Sequence, residues 1–275
     1  MSIVEIVKIL TSAGIEQNEA NAEVKMLIEH FCGYSAVDII MGKLLDESKL
    51  NLVKEKAQLR ARTRMPIQQI LGFTYFMNDK FKVSKDTLIP RDETEILARK
   101  AIDIINKNNL KSALDIGTGT GILACTIAKY TLGKSTALDV SENALKIAEE
   151  NIKNLGLSEK VKTLQSNLFE NVSEKYDLII SNPPYIPLSE KATIQKEVTF
   201  DPDLALYTSD EKGLEFYKKI TKEAKNHLNK NGYLLFEMGL GQSEDIKKIL
   251  ENNGYKNIQI EKDLAEIDRV IVAQI

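Results

Sequence analysis

Apolar residues recur at helical spacing through the first part of the chain and at strand spacing only later. Ile3, Ile6, Val7 and Leu10 share one helical face, and Ala20, Val24, Leu27, Ile28 and Phe31 share another. Breaks at Ala13-Gly14 and Gly33-Tyr34 separate them, and a longer helix from about Glu47 to Arg64 stops before Pro66. That stop has a steric cause, since the residue ahead of a proline is disfavoured in helix. Residues 1–70 thus read as a small helical bundle. Over residues 71–87, Phe73-Thr74-Tyr75-Phe76 and Lys80-Phe81-Lys82-Val83 flank Asn78-Asp79, which predicts a β-hairpin linker. Asp92-Glu93-Thr94-Glu95 then opens a helix to about Asn106, with acidic residues where the helix dipole favours them.

From Lys111 strands and helices alternate. Strands are predicted at 112–116, 135–139, 161–165, 176–181, 232–237, 256–261 and 269–274, with helices at 122–130, 142–154, 211–229 and 242–252. This spacing predicts an α/β fold over residues 88–275, a seven-stranded, mostly parallel, doubly wound sheet with helices on both faces. Ligands in such sheets bind beyond the carboxyl ends of the strands. Residues 186–210 form the longest unassigned stretch and are a candidate lid or substrate loop.

Composition narrows the picture by exclusion. Hydrophobic residues make up 43% and charged residues 28% of 275, enough apolar material for a sizeable core. A net charge of −3 argues against a protein held to nucleic acid chiefly through phosphates. Cys32 and Cys125 stand far apart without partners at metal spacing, which fits a reducing cytoplasm and predicts neither disulfide nor zinc. His30 and His227 fall in helical segments and read as surface or packing residues. Glu5 and Lys8 interrupt the first ten residues, which therefore do not read as a signal peptide, and no apolar run approaches membrane-spanning length. Arg60, Arg62 and Arg64 read as a solvated helix face in preference to a docking site for an acidic partner.

Two turns carry the candidate chemistry. Asp115-Ile116-Gly117-Thr118-Gly119-Thr120-Gly121 joins a strand to a helix; glycines at alternate positions permit a sharp turn and close approach of a ligand. The helix N-terminus beyond it favours a negative group, most simply a carboxylate. Asp139 ends the next strand, where an acidic side chain can accept hydrogen bonds from both hydroxyls of a ribose. A dinucleotide enzyme is the obvious competitor, but Gly-x-Gly-x-Gly departs from the dinucleotide spacing Gly-x-Gly-x-x-Gly. The second turn, Ser181-Asn182-Pro183-Pro184-Tyr185, follows the apolar run Tyr176-Asp177-Leu178-Ile179-Ile180. Two prolines fix φ twice and remove two donors, so the turn is stiff and belongs to neither helix nor sheet interior. The Asn182 oxygen and a backbone carbonyl can each accept one N–H of a planar amino group, with the Tyr185 ring against its flat face.

Together the turns resemble those of class I S-adenosylmethionine-dependent methyltransferases that act on planar nitrogen. Over nearly the whole chain the resemblance is closer, to the peptide chain release factor glutamine methyltransferases. It rests on Pro66 to Gly72, Leu88-Ile89-Pro90-Arg91 with Thr94-Glu95, the glycine turn and Ser181 to Ile186. It extends through Glu197-Val198, Asp201-Pro202, Ala205-Leu206, Gly213-Leu214, Glu237-Met238-Gly239 with Gln242, and Asp263 through Arg269-Val270. The resemblance implies a helical N-terminal domain, a hairpin linker and a Rossmann-like methyltransferase domain. The implied activity is methyl transfer to the side-chain amide of the glutamine in the Gly-Gly-Gln loop of class-1 release factors. It also implies that Gly117, Thr118, Gly119, Thr120, Gly121 and Asp139 bind S-adenosylmethionine, with Thr94, Glu95, Asn167 and Leu168 bordering it and no metal. Asn182 would contact cofactor and substrate, and Pro183, Pro184 and Tyr185 would complete the glutamine pocket.

The chain departs from the family pattern at Gln69, where an aromatic residue is common, and at Asp201, where Glu is usual. Asn167-Leu168 replaces an Asp-aromatic pair near adenine; the Asn167 carbonyl can still accept from the adenine amino group, while Leu168 loses the aromatic side chain's contact. Three alternatives stay open: a glutamine methyltransferase acting on a ribosomal protein, a nucleic-acid base methyltransferase, and a binding module without catalysis. Absence of Trp and the acidic net charge weigh against the nucleic-acid reading. The expected partner is a release factor, with no membrane, no direct nucleic acid and a monomeric, cytoplasmic protein.

Overall fold

The computed structural model describes residues 2–35, 37–38, 41–43 and 46–275. The helical reading of residues 1–70 also covers positions 1, 36, 39, 40, 44 and 45, which lie outside the described residues. The chain divides into two compact units, Met1–Phe73 with Gln195–Phe200, and Thr74–Ile194 with Asp201–Ile275.

The first unit includes the helices Ile3–Thr11, Gln17–Cys32, Glu47–Thr63 and Ile67–Leu71. Ser2 and Glu5 cap the first helix reciprocally, each side chain holding the other's backbone N–H. Asp46 caps the Glu47–Thr63 helix by accepting from Lys49 N at 2.9 Å. Ile6, Leu10, Val24, Leu27, Ile28 and Val53 interlock as the core, as the periodicity requires. Arg60 corrects the sequence reading of a solvated face: it is 2% exposed. Its Nε donates to both oxygens of the buried Glu23 at 3.0 and 3.1 Å, and its Nη atoms donate to Glu19, Glu197 and the Arg64 carbonyl. Only Arg62 of the three arginines is exposed.

The second unit begins with a hairpin of β1 (Phe73–Phe76) and β2 (Asp79–Lys82). Its turn is Met77-Asn78, with φ of 46° and 70°, one residue earlier than the sequence reading. Two consecutive left-handed residues match the strand twist, which settles the register there. The central sheet comprises β3 (Ser112–Ile116), β4 (Lys134–Asp139), β5 (Val161–Gln165), β6 (Tyr176–Ser181), β9 (Leu228–Glu237), β10 (Lys256–Lys262) and β11 (Asp268–Gln274). Their order is β10-β11-β9-β6-β3-β4-β5; the five strands from β9 to β5 are parallel, and β11 is antiparallel to both its neighbours. The chain steps outward from β3 to β5, then returns to lay β6 on the other side of β3. That reversal makes a topological switch point between β3 and β6.

Alternation along the strands sends Ala113, Leu178 and Leu235 into one apolar layer with the Thr94–Asn108 and Ile122–Tyr130 helices. Leu114, Ile179 and Leu234 face the other layer, with the Glu215–His227 and Ser243–Asn252 helices. β9 starts earlier than residue 232 because a register shift between Tyr176 and Leu178 accommodates Asn229 to Gly232 without breaking the strand. The stretch read as unassigned holds β7 (Ile186–Pro187) paired in parallel with β8 (Tyr207–Thr208), two 3-10 turns and the short helix Asp203–Leu206. Among the described residues no helix is long and apolar enough to cross a membrane.

Candidate active site

Strand register brings the candidate residues to one level. Ile116 on β3 pairs with Leu138 on β4 and with Ser181 on β6, and Ser181 pairs with Phe236 on β9. The next residue on each parallel strand is therefore Gly117, Asp139, Asn182 and Glu237. Three polar side chains and one bare backbone, separated by up to 120 positions, thus meet at one edge of the sheet, across the switch point. Ser181 locks the level, its hydroxyl donating to the Ile116 carbonyl at 2.7 Å.

A cleft of about 850 Å³, open to solvent, lies over this edge. Gly117, Gly119, Asp139, Asn167, Leu168, Asn182, Pro183 and Pro184 line it, as does the apolar face of Leu138, Ala144, Phe216 and Ile220. Its apolar walls beside a few placed polar groups suit a nucleoside. Gly117 and Gly119 adopt φ of 72° and 53°, and a Cβ built on either meets nothing within 4 Å, so the backbone lies bare toward open space. Gly121 has a different reason: a Cβ there would come within 3.1 Å of the Ala148 Cβ, so this glycine lets two helices pack. Thr118 and Thr120 are buried behind the turn and do not line the cleft.

Both oxygens of Asp139 are held from behind, Oδ2 by Gly119 N and Oδ1 by Ser141 N, each at 2.9 Å. Burial raises its carboxyl above the ordinary range, and these N–H groups oppose the shift. The carboxylate keeps further lone pairs for a ligand's hydroxyls, so the donor set fits a ribose. Asn167 gives its amide nitrogen to Glu170 at 2.8 Å, which leaves its side-chain oxygen as an acceptor. Glycines, carboxylate and apolar face together fit S-adenosylmethionine.

The proline turn is braced by residues far away in sequence. Gln242 Nε2 donates to the Tyr185 carbonyl at 3.1 Å and the Lys212 carbonyl at 2.9 Å, while its Oε1 accepts from Gly239 N at 3.0 Å. A Cβ at Gly213 would lie 2.0 Å from the Tyr185 carbonyl oxygen, and one at Gly239 would lie 2.9 Å from the Tyr185 ring. One carboxamide and two glycines therefore hold the turn in place. Tyr185 is half-buried against the layer beneath and is not among the residues lining the cleft. Burial, then the nearby Glu237, pushes its hydroxyl up to about 12.

Thr94 and Glu95 part company. Thr94 is buried beneath the turn, its hydroxyl 3.5 Å from the Asn182 amide nitrogen. Glu95 turns to the hairpin, accepting from Met77 N at 2.8 Å and from Arg99 at 2.8 Å, and the structure does not bring it to the cleft. The sequence reading gave no role to Asp201, which is buried and accepts from Ile89 N at 3.1 Å and Arg91 at 2.6 Å. It fastens Thr87 and Leu88, on one wall of the cleft, to Pro202, Leu204 and Ala205 on another. Burial, opposed by Arg91, raises its carboxyl to about 6. Glu237 carries part of the family resemblance but was given no role, although it ends the apolar run Tyr233-Leu234-Leu235-Phe236 as Asp139 ends its own strand. A charge closing a buried strand was the available signal.

A parallel sheet with a glycine turn and an acidic strand end beside the switch point defines a class I methyltransferase, an S-adenosylmethionine-dependent enzyme. The family model described as the methyltransferase small domain matches residues 92–199. The release factor glutamine methyltransferase of Fusobacterium nucleatum subsp. nucleatum is 41% identical over 238 residues, covering 85% of this chain and 67% of that protein. The release factor glutamine methyltransferase of Flavobacterium psychrophilum is 36% identical over 266 residues, 93% of this chain and 92% of that protein. The chain belongs to the release factor glutamine methyltransferase family. Among solved structures, the ribosomal protein L11 methylase of Lactobacillus delbrueckii subsp. bulgaricus matches with a TM-score of 0.51 and 22% identity, covering 68% of this chain and 80% of that one. That likeness concerns the fold alone.

Proposed function

We propose that this chain methylates the side-chain amide nitrogen of the glutamine in the Gly-Gly-Gln loop of class-1 release factors. The observation that carries the reading is the placement of Asn182, stiffened by two prolines, at the floor of the cleft and level with Gly117 and Asp139. When bound, S-adenosylmethionine supplies a methyl carbon made electrophilic by a positively charged sulfur.

The remaining work falls to the chain. Gly117 and Gly119 offer bare backbone, Asp139 accepts from the ribose hydroxyls, and the Asn167 carbonyl accepts from the adenine amino group, with Leu168 and Phe216 against the ring. An amide nitrogen is a poor nucleophile because its lone pair is conjugated with the carbonyl. The Asn182 oxygen and the Pro183 carbonyl each accept one of its hydrogens, which orients the lone pair and stabilises the positive charge that develops on nitrogen. Pro184 bounds the pocket for the flat amide, and Tyr185 supports the turn from the layer beneath. The nitrogen gains the methyl carbon as that carbon's bond to sulfur breaks, its electron pair staying on sulfur, and releases one hydrogen as a proton to water, so no histidine is required.

Incubating the protein with labelled S-adenosylmethionine and a purified class-1 release factor should add one methyl group, located by mass spectrometry on the Gly-Gly-Gln glutamine. A release factor with Gln→Ala at that position should take up none. Label on another residue, or on RNA alone, would reject the reading.

A further inference from the structure

A carboxamide is nearly symmetric in shape but opposite in function at its two ends, and only the oxygen of Asn182 can hold a substrate N–H. Something must therefore set which end faces the cleft. The Thr94 hydroxyl stands 3.5 Å from the Asn182 nitrogen, but a hydroxyl both donates and accepts and cannot by itself choose between the two orientations. Beside both lies Glu237, 3% exposed: it follows Phe236 on β9 as Asn182 follows the paired Ser181 on β6, and Thr94 and Asn182 both act to lower its carboxyl. Its Oε2 has no hydrogen-bond partner among the described residues. An ionised carboxylate only accepts, so it turns donors toward itself.

We propose that Glu237 is the positioning residue of this site: its carboxylate draws the Thr94 hydroxyl and the Asn182 amide nitrogen inward, leaving the Asn182 oxygen facing the substrate. The inference rests on the glutamine-methylating reading and names the residue that sets its hydrogen-bond polarity. Glu237 acts through Asn182 and does not line the cleft.

The groups facing Glu237 come from every element around it. Thr94 and Glu93 stand at the start of the Thr94–Asn108 helix, Asn182 and Tyr185 on the proline turn, Arg269 on β11 and Tyr217 on the Glu215–His227 helix. Arg269 is engaged elsewhere, by Asp263 at 2.8 Å and Glu93 at 3.4 Å. Burial dominates and, with the charge of Glu93, raises the Glu237 carboxyl to about 7, against Thr94, Asn182 and the charge of Arg269. Protonated Glu237 donates as well as accepts and releases its hold on the orientation, so turnover should rise with pH through the neutral range.

The test compares the parent with Glu237→Gln and Thr94→Val, measuring kcat and KM for a release factor over about pH 6 to 9. Cofactor affinity by calorimetry and fold by circular dichroism accompany each. Glu237→Gln should lower kcat by about tenfold or more, with cofactor affinity within several-fold, and should flatten the rise of kcat with pH. Thr94→Val, with Glu237 intact, should lower kcat several-fold and keep that rise. Parent kcat and an unchanged pH profile in Glu237→Gln would overturn the inference alone. So would a parent profile that is flat across neutral pH, whether or not Glu237→Gln folds. A parent that binds cofactor but methylates no glutamine would overturn the underlying reading, and the inference with it.

Discussion

Glu23 in the helical unit and Glu237 in the sheet unit are equally buried, each 3% exposed, yet they are treated oppositely. Glu23 has an arginine nitrogen within 3.1 Å of both its oxygens, and that arginine's other nitrogens are themselves satisfied. Among the described residues, Glu237 has no cation in contact and one oxygen without a partner. Burying a charge is tolerated when it is paired and hydrogen-bonded, and is expensive otherwise. A fully matched buried acid is therefore architecture. A mismatched one marks a place where the fold gives up stability, and here it lies beside the residue that orients the substrate. Asp139 falls between them: its two oxygens are held by backbone N–H groups, and lone pairs remain for a ligand.

This contrast can be broken by removing each acid's partner. The largest effect is expected from Arg60→Met, which strands Glu23 in an apolar setting and should cost about 3–5 kcal/mol of stability. Urea unfolding would measure it, and Glu23→Leu added to Arg60→Met should restore a good part. A loss below about 1 kcal/mol would show the cluster to be no more than a surface ion pair. Asn182→Ala, beside Glu237, should do the reverse. It should leave unfolding little changed and lower turnover on the order of a hundredfold, about 2.7 kcal/mol in the barrier, with cofactor affinity kept within several-fold. Turnover at the parent rate would remove Asn182 from the chemistry. Asp139→Ala should weaken cofactor binding by about 1–3 kcal/mol through lost hydrogen bonds, read by calorimetry. Unchanged affinity would take Asp139 out of the site.

The smallest effect sharpens the comparison through pH. Burial raises Glu237 from 4.5 to about 7, so the folded chain keeps a proton that the unfolded chain has lost. Stability from this group is fully present below its ordinary value and is lost as pH rises through its folded value. The melting temperature of the parent minus that of Glu237→Gln should therefore fall between about pH 4.5 and 7, by about 2 °C or more, and level off above. A difference that is constant across this window would mean that Glu237 does not titrate as its burial requires.

The alternation of strand and helix, the two turns and the stop before Pro66 were legible because each depends on a few adjacent residues. The hairpin turn was misplaced by one position since Met77 carries no turn signal; only the paired strands force it to a φ of 46°. Arg60 was misjudged for a related reason. Its neighbours Arg62 and Arg64 look alike in sequence, but the fold turns Arg60 to a glutamate 37 positions earlier and Arg64 to the Ala13 carbonyl, and leaves Arg62 exposed. Glu95 read like Thr94 until the helix fixed their directions, one toward Asn182 and the other toward the hairpin.

By itself the sequence determined the α/β class, the family and the residue types of the two turns, since periodicity and turn chemistry are local. Tertiary structure alone decided that Gly117, Asp139, Asn182 and Glu237 share one level, because parallel register is set by pairings between strands distant in sequence. It also decided which buried carboxyls found partners, because burial and pairing are properties of neighbours in space.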